Sequence, residues 1–250
     1  MGCSYIMRQC IFCHREIDAK APPEHVIPQW ISRAYPNAMF TTKHRDGRVI
    51  TSKVLEITVE TVCKDCNHHW MSDLETRASP MLKPMLKGET QGLSIEQQVL
   101  LAQWAAKTAM TLDQTFPVVE ERVFSPDQCK QLMERKLPPP GVGVQLGRYA
   151  GGGIFLDFGH NDLYRTVPAE GPGRNRPDGY RTAMRIDQLV VEVNVTSDAA
   201  LDLRIAQTDV RNLLLPIWPC VGPLAFPPRI AMSDDTWASF IAPGLPDASQ

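Results

Sequence analysis

The chain has 250 residues, 43% of them hydrophobic and 22% charged, with a formal net charge of −2. That length allows one large domain or two small ones, and the balance is ordinary for a globular protein. The small negative charge excludes polyanion binding by charge alone, and no apolar run approaches the roughly 18 residues that a membrane span requires.

The N-terminus, Met1 to Arg8, lacks the basic-then-apolar pattern of a signal peptide. It begins Met1-Gly2, but Ile6 stands where myristoylation calls for Ser or Thr. Seven cysteines are an odd number. Four fall into two pairs, and Cys3, Cys129 and Cys220 are scattered. A secreted disulfide framework would not leave this remainder, so a reducing, cytoplasmic setting is expected. Residues 1–90 carry twelve Lys or Arg against ten Asp or Glu, or +2, which leaves −4 for the rest. This leans slightly towards nucleic acid in the first part.

In chain order, Gln29 to Tyr35 predicts a short helix stopped by Pro36. Met39 to Thr42 and Val49 to Ser52 predict a hairpin turning at Asp46-Gly47. Glu56 to Val62 alternates polar with apolar, β-branched residues and predicts a strand. From Asn67 the pattern is helical, with Trp70, Leu74 and Ala78 on one face, Asn67 as cap and Pro80 and Pro84 as stops. A second segment begins near Gly92. Ser94 to Gln97 reads as a capping box ahead of Val99 to Met110, apolar on most sides and so a buried helix. Ser125-Pro126-Asp127 opens another helix through Met133, closed by Pro138-Pro139-Pro140. Strands are expected at Val142 to Leu146 and Ile154 to Phe158, around Gly151-Gly152-Gly153. A second pair, Thr182 to Ile186 and Leu189 to Val195, is joined by Asp187-Gln188. Gly171 to Gly179 reads as a loop, and the chain from about Gly244 as a disordered tail. The organisation is α+β: a first domain over 1–90, a helix-then-strand domain over 91–243, and a tail over 244–250.

The chemistry concentrates in the first domain. Cys10-Ile11-Phe12-Cys13 and Cys63-Lys64-Asp65-Cys66 are two C-x-x-C knuckles, and four thiols so paired suit one tetrahedral, structural zinc ion. The 49 residues between Cys13 and Cys63 exceed the usual zinc-ribbon gap and fit an inserted functional element. Within them lies Glu24-His25-Val26-Ile27-Pro28, and Asn67 follows the last cysteine. The zinc would therefore bring Glu24, His25 and Asn67 together.

Cys-x-x-Cys, Glu-His-Val-Ile-Pro and Cys-x-x-Cys-Asn, in that order over about residues 10–78, resemble the HNH endonucleases, whose core is a ββα-metal fold. The resemblance implies that Glu24 and Asn67 ligate a divalent metal and that His25 is the general base on a water. Family members more often carry Asp at the position of Glu24. They also usually carry an Asn before the second knuckle to orient the base; here that stretch holds Thr58 and Thr61 and no Asn. Either a threonine or a carbonyl takes that role, or catalysis is weakened.

The chemistry is consistent without the family. Phosphodiester hydrolysis needs an activated water and a cation on the phosphate. A histidine can deprotonate water near neutrality, and Mg²⁺ or Mn²⁺ prefers oxygen ligands such as Glu24 and the Asn67 amide. Neighbours on a regular strand face opposite sides, so Glu24 and His25 share a site only if the chain bends there. Pro22, Pro23 and Pro28 favour such a bend. His68 and His69 offer further donors to a metal or a phosphate. If one binds, a softer ion such as Zn²⁺ or Ni²⁺ is favoured; otherwise both are exposed residues at a helix start. Glu75 lies two turns beyond Asn67, about 12 Å along a helix, which places it outside the same ligand set and makes it a helix-surface or salt-bridge residue. Trp30 and Trp70 read as core residues around the knuckle, with base stacking as the alternative.

In the second segment Gly151-Gly152-Gly153 is no nucleotide fingerprint, because a strand follows it. Arg174, Arg176, Arg181 and Arg185 form either a solvated loop or a set of phosphate contacts. The expected function is a metal-dependent endonuclease on DNA, with RNA also open, and with a homodimer contact or protein partner carried by the second segment. The alternatives are a zinc-stabilised nucleic-acid-binding module without catalysis and a purely structural or interaction protein.

Overall fold

The computed structural model describes residues 8–18, 22–36, 39–43, 49–52, 57–115, 122–151, 155–163, 179–196 and 212–241. The expected turn at Asp46-Gly47, Arg174, Arg176, Cys3 and the tail lie outside the described residues. The fold is a mixture of helices and small sheets. Strand β1 (Glu24–His25) pairs antiparallel with β4 (Thr58–Val59), with Glu24 opposite Val59 and His25 opposite Thr58. Helix α1 (Gln29–Ala34) and the hairpin strands β2 (Met39–Lys43) and β3 (Val49–Ser52) lie between them in sequence. Then come α2 (Lys64–Cys66), a wide π-turn over Asn67–Met71 and α3 (Ser72–Leu86).

The strand expected over Glu56 to Val62 is confined to Thr58–Val59. The flanking carbonyls serve different parts of the chain: Ile57 accepts from the Val26 amide at 2.9 Å, and Thr61 from the Ile11 amide at 3.0 Å. One segment thus holds both the Glu24 strand and the first knuckle. Asn67 does not cap its helix. Cys63 does, its Sγ accepting from the Cys66 amide at 3.4 Å, so the helix starts one turn earlier. Nor do Pro80 and Pro84 stop α3, which continues to Leu86. A proline inside a helix costs about 3 kcal/mol. Leu74, Leu82, Met85 and Leu86 are all buried along this helix, and each contributes about 1.5–3 kcal/mol, enough to carry the helix through.

Strand β5 (Gln91–Leu93) leads into α4 (Ile95–Asp113), whose capping box at Ser94 and Gln97 forms as expected. Every residue of α4 from Leu101 to Asp113 is buried, the condition of a helix apolar all round. Helix α5 (Pro126–Arg135) also starts on a capping box, at Ser125. The remaining strands are β6 (Val142–Arg148), β7 (Phe155–Leu163), β8 (Gly179–Ile186), β9 (Leu189–Thr196), β10 (Leu214–Trp218) and β11 (Leu224–Phe226), followed by α6 (Asp234–Ile241). The main sheet runs β10-β6-β9-β8-β7-β2-β3. The β8–β9 hairpin turns at Asp187-Gln188 as expected, with Asp187 at φ 52°.

The hairpin of the first segment joins this sheet, because β2 runs parallel to β7, with Phe40 opposite Leu156. One apolar cluster includes Phe12, Val26 and Met71 near the knuckles, Leu101 and Trp104 on α4, and Val144, Met184 and Val191 on the sheet. The Asp187 carboxylate accepts from Tyr35 Oη at 2.9 Å and Lys87 Nζ at 3.1 Å, a further tie between the segments. On the other sheet face α6 buries Trp237 and Phe240 against Tyr149, Ala183 and Val190. Arg181 lies 4.4 Å from the Phe240 ring and donates to the Phe240 carbonyl, and Arg185 lies 4.1 Å from the Tyr149 ring. These two arginines of the expected cluster clamp a helix through cation–π contacts, instead of lying in a solvated loop.

Candidate metal centre and active site

The two knuckles meet. The thiol sulfurs of Cys10, Cys13, Cys63 and Cys66 all lie within 4.8 Å of one another. Cys13 and Cys63 are 3.5 Å apart, near the edge of about 3.8 Å for a tetrahedron with Zn–S of about 2.3 Å. All four are free thiols. Their crowding shows in their proton affinities. A hydrogen bond from Cys66 pulls the Cys10 thiol down to about 4, and the same contact, with burial, pushes Cys66 far up. Thiols packed this closely repel one another when ionised, and a cation among them would relieve that repulsion. Sulfur ligands, closed geometry and burial of three of the four fit a structural zinc ion. Arg15 supports the cluster from outside: its Nε donates to Cys13 Sγ at 3.5 Å and its Nη1 pairs with Asp65 at 3.0 Å. Trp70 packs edge-on against Phe12, ring centroids 5.0 Å apart. Trp30 and Trp70 are partly buried against the core, and Lys136 covers the Trp70 ring at 4.9 Å.

The second knuckle leads into the wide turn at Asn67, closed by the Ser72 amide bonding to the Asn67 carbonyl. Such turns recur at functional sites. Here it holds Asn67, half-buried, directly after Cys66. Glu24 is 6% exposed. Burial pushes its pKa up to about 7, against the Lys107 ammonium, which lowers it; Glu75 adds to the rise. The His25 amide and the Asn67 side chain both act to lower the proton affinity of its carboxylate. Glu24 and Asn67, 43 positions apart in sequence, thus influence one another electrostatically, and both offer oxygen donors of the kind that Mg²⁺ or Mn²⁺ takes.

His25 stands differently. It is half-buried, on the neighbouring position of the same strand, while Glu24 is turned inward. Its ring lies beside the Gln29 side chain, whose Nε2 is 3.3 Å from Nδ1 and 3.4 Å from Nε2; Gln29 Oε1 in turn accepts from Arg33 at 2.9 Å. Thr58 is exposed, across the pair from His25. Thr61 buries its hydroxyl with no partner among the described residues. Neither threonine is bonded to His25; the amide nearest the ring is that of Gln29. His68 and His69 are exposed, and among the described residues neither joins a cluster of metal-binding side chains.

Glu75, expected as a helix-surface or salt-bridge residue, does form an ion pair, and its charge raises the proton affinity of Glu24. Lys107, from α4, is wholly buried and bonds Glu75 Oε1 at 2.7 Å. Its sequence signal was there: Lys107 is the only charged residue between Glu96 and Asp113, and a buried lysine requires an acid. Comparison with protein-family models, curated proteins and solved structures gives no match for this chain.

Proposed function

We propose that the chain is a metal-dependent endonuclease of the HNH type, hydrolysing phosphodiester bonds in DNA. The observation that carries this reading is the four-cysteine cluster, with Asn67 directly after its last cysteine and Glu24 beside His25 on β1. An antiparallel strand pair followed by a helix, β1 and β4 then α2 to α3, supports it. Glu24 and the Asn67 amide oxygen, once the amide turns about its last bond, would hold Mg²⁺ or Mn²⁺. That ion, when bound, would supply positive charge to the scissile phosphate. His25 takes the proton from the attacking water once the neighbouring Gln29 Nε2–H, a donor that would otherwise occupy the lone pair of the base, turns away. The zinc of the four cysteines has no part in the chemistry; it fixes the frame.

A second reading is a zinc-stabilised nucleic-acid-binding or interaction module without catalysis. It is favoured by the carboxyl of Glu24, pushed up to about 7 by burial, since a protonated carboxyl is a poor metal ligand. Supercoiled plasmid incubated with the zinc-loaded protein and Mg²⁺ or Mn²⁺ separates the two. The nuclease reading expects nicking that falls at least about 100-fold in His25→Ala. Nicking that survives the substitution removes His25 as the base. Retention of DNA with no cutting under any divalent ion selects the binding module.

A further inference from the structure

The chain has a net charge of −2, yet two of its stretches hold cations and no acid. Residues 25–45 contain Arg33, Lys43 and Arg45, and residues 76–88 contain Arg77, Lys83 and Lys87, with no Asp or Glu in either. The first stretch includes α1 and the second most of α3. The two helices meet through a pair of cation–π contacts. Lys83 Nζ lies 5.7 Å from the centre of the Trp30 ring, and Lys87 Nζ lies 4.5 Å from that of Tyr35. Trp30 opens α1 and Tyr35 closes it, so α1 lies along the last turns of α3, with Lys83 at its first end and Lys87 at its last.

The charge differs between those ends. Lys87 is neutralised by Asp187 at 3.1 Å, and Arg77 by Asp73 at 3.5 Å. Arg33 and Lys83 are exposed, and neither pairs with an acid among the described residues; their contacts there are the Gln29 amide oxygen and the Trp30 ring. Glu24, the acid just before the first stretch, is buried. The two unneutralised cations stand at the His25 end of α1. Gln29, which accepts from Arg33 at 2.9 Å, brings its Nε2 to 3.3 Å from His25 Nδ1, and Trp30 is the next residue. The bond to Gln29 engages one of the five N–H donors of the guanidinium. A ring beneath an ammonium holds it by about 0.5–1 kcal/mol without cancelling its charge. Both cations therefore keep donors and charge for an anion.

We propose that Arg33 and Lys83 grip the phosphate backbone of duplex DNA beside His25. This deepens the nuclease reading and rests on His25 as its base. Phosphate contacts fix the position of the duplex and carry no base sequence, so this surface sets where the strand lies against His25 and leaves specificity to other residues. Trp30 is a positioning residue: its ring seats Lys83 and does not stack on a base.

The test is binding of the zinc-loaded full chain to a fluorescein-labelled DNA duplex, read by fluorescence anisotropy between 50 and 200 mM NaCl without added divalent ion. Circular dichroism confirms the fold of each variant. Each phosphate contact contributes about 0.9 to the slope of log affinity against log salt. Arg33→Gln and Lys83→Gln are each expected to lower the slope by about 0.9, and the double variant by about 1.8. Lys83→Arg, which keeps the charge, and Arg77→Gln, which removes a cation already paired on the same helix, are expected to keep the native slope.

An unchanged slope in the double variant overturns the proposal, as does an equal fall in Arg77→Gln. So does absence of DNA binding by the native chain. Binding of poly-glutamate in place of DNA, with the same dependence on Arg33 and Lys83, overturns it in favour of an acidic protein partner. Failure of the nuclease reading looks different: the slope responds to both cations while plasmid stays intact with Mg²⁺ and Mn²⁺. His25-dependent nicking with a slope indifferent to Arg33 and Lys83 sinks the phosphate grip alone.

Discussion

Glu192 gives the sharpest quantitative test of the sheet. It lies on β9 with 2% exposure. Burial pushes its pKa up from 4.5 to about 7, although Arg181 and Asn194 oppose the rise. Arg181 Nε stands 3.7 Å from Oε1, and Oε2 has no hydrogen-bond partner among the described residues. A folded-state pKa above the unfolded one means that the native protein holds the proton more tightly, so stability is full at low pH and falls as pH rises through 4.5 towards 7. From about pH 5 to about pH 8 the loss amounts to about 2.5 kcal/mol. In Glu192→Gln this contribution is absent. The offset at any one pH also contains the lost attraction to Arg181, so the test is the slope. Urea unfolding at both pH values should show the variant gaining about 2.5 kcal/mol relative to the native chain between them. A difference that stays constant across this range would refute the argument that Glu192 is a desolvated acid.

Two further outcomes concern the knuckles and the core helix. Purified protein should carry about one zinc per chain, and Cys66→Ser should lose it, with hydrogen exchange rising first in residues 8–18 and 57–71; elemental analysis and exchange mass spectrometry check both. Ser94→Ala removes a capping box formed on both sides and should cost about 1 kcal/mol in urea unfolding, leaving zinc content unchanged.

Much of the site was readable because its spacing is chemical. Two C-x-x-C pairs suit one ion, and residues 10–13 and 63–66 do meet, their sulfurs within 4.8 Å of one another. The cap at Asn67 was misread because the expected start ignored the cysteine sulfur as an acceptor, and Cys63 occupies the cap instead. The prolines of α3 were misread because local rules weigh a lost hydrogen bond and cannot see the buried face that outweighs it. Arg181 and Arg185 carry no local mark of the aromatic rings they meet, which come from Tyr149 and from α6, some fifty residues later.

The sequence by itself determined the cysteine cluster, the buried character of α4, the capping boxes and the β8–β9 turn, because each depends on residues a few positions apart or on a valence to be filled. Tertiary structure alone decided that β2 and β3 complete the sheet of the second segment, that Gln29 lies beside His25, and that Lys107 of α4 pairs with Glu75 of α3. Those arrangements depend on which buried faces meet. Composition and periodicity state that a face is apolar or that a charge is stranded in it, and only packing states what lies opposite.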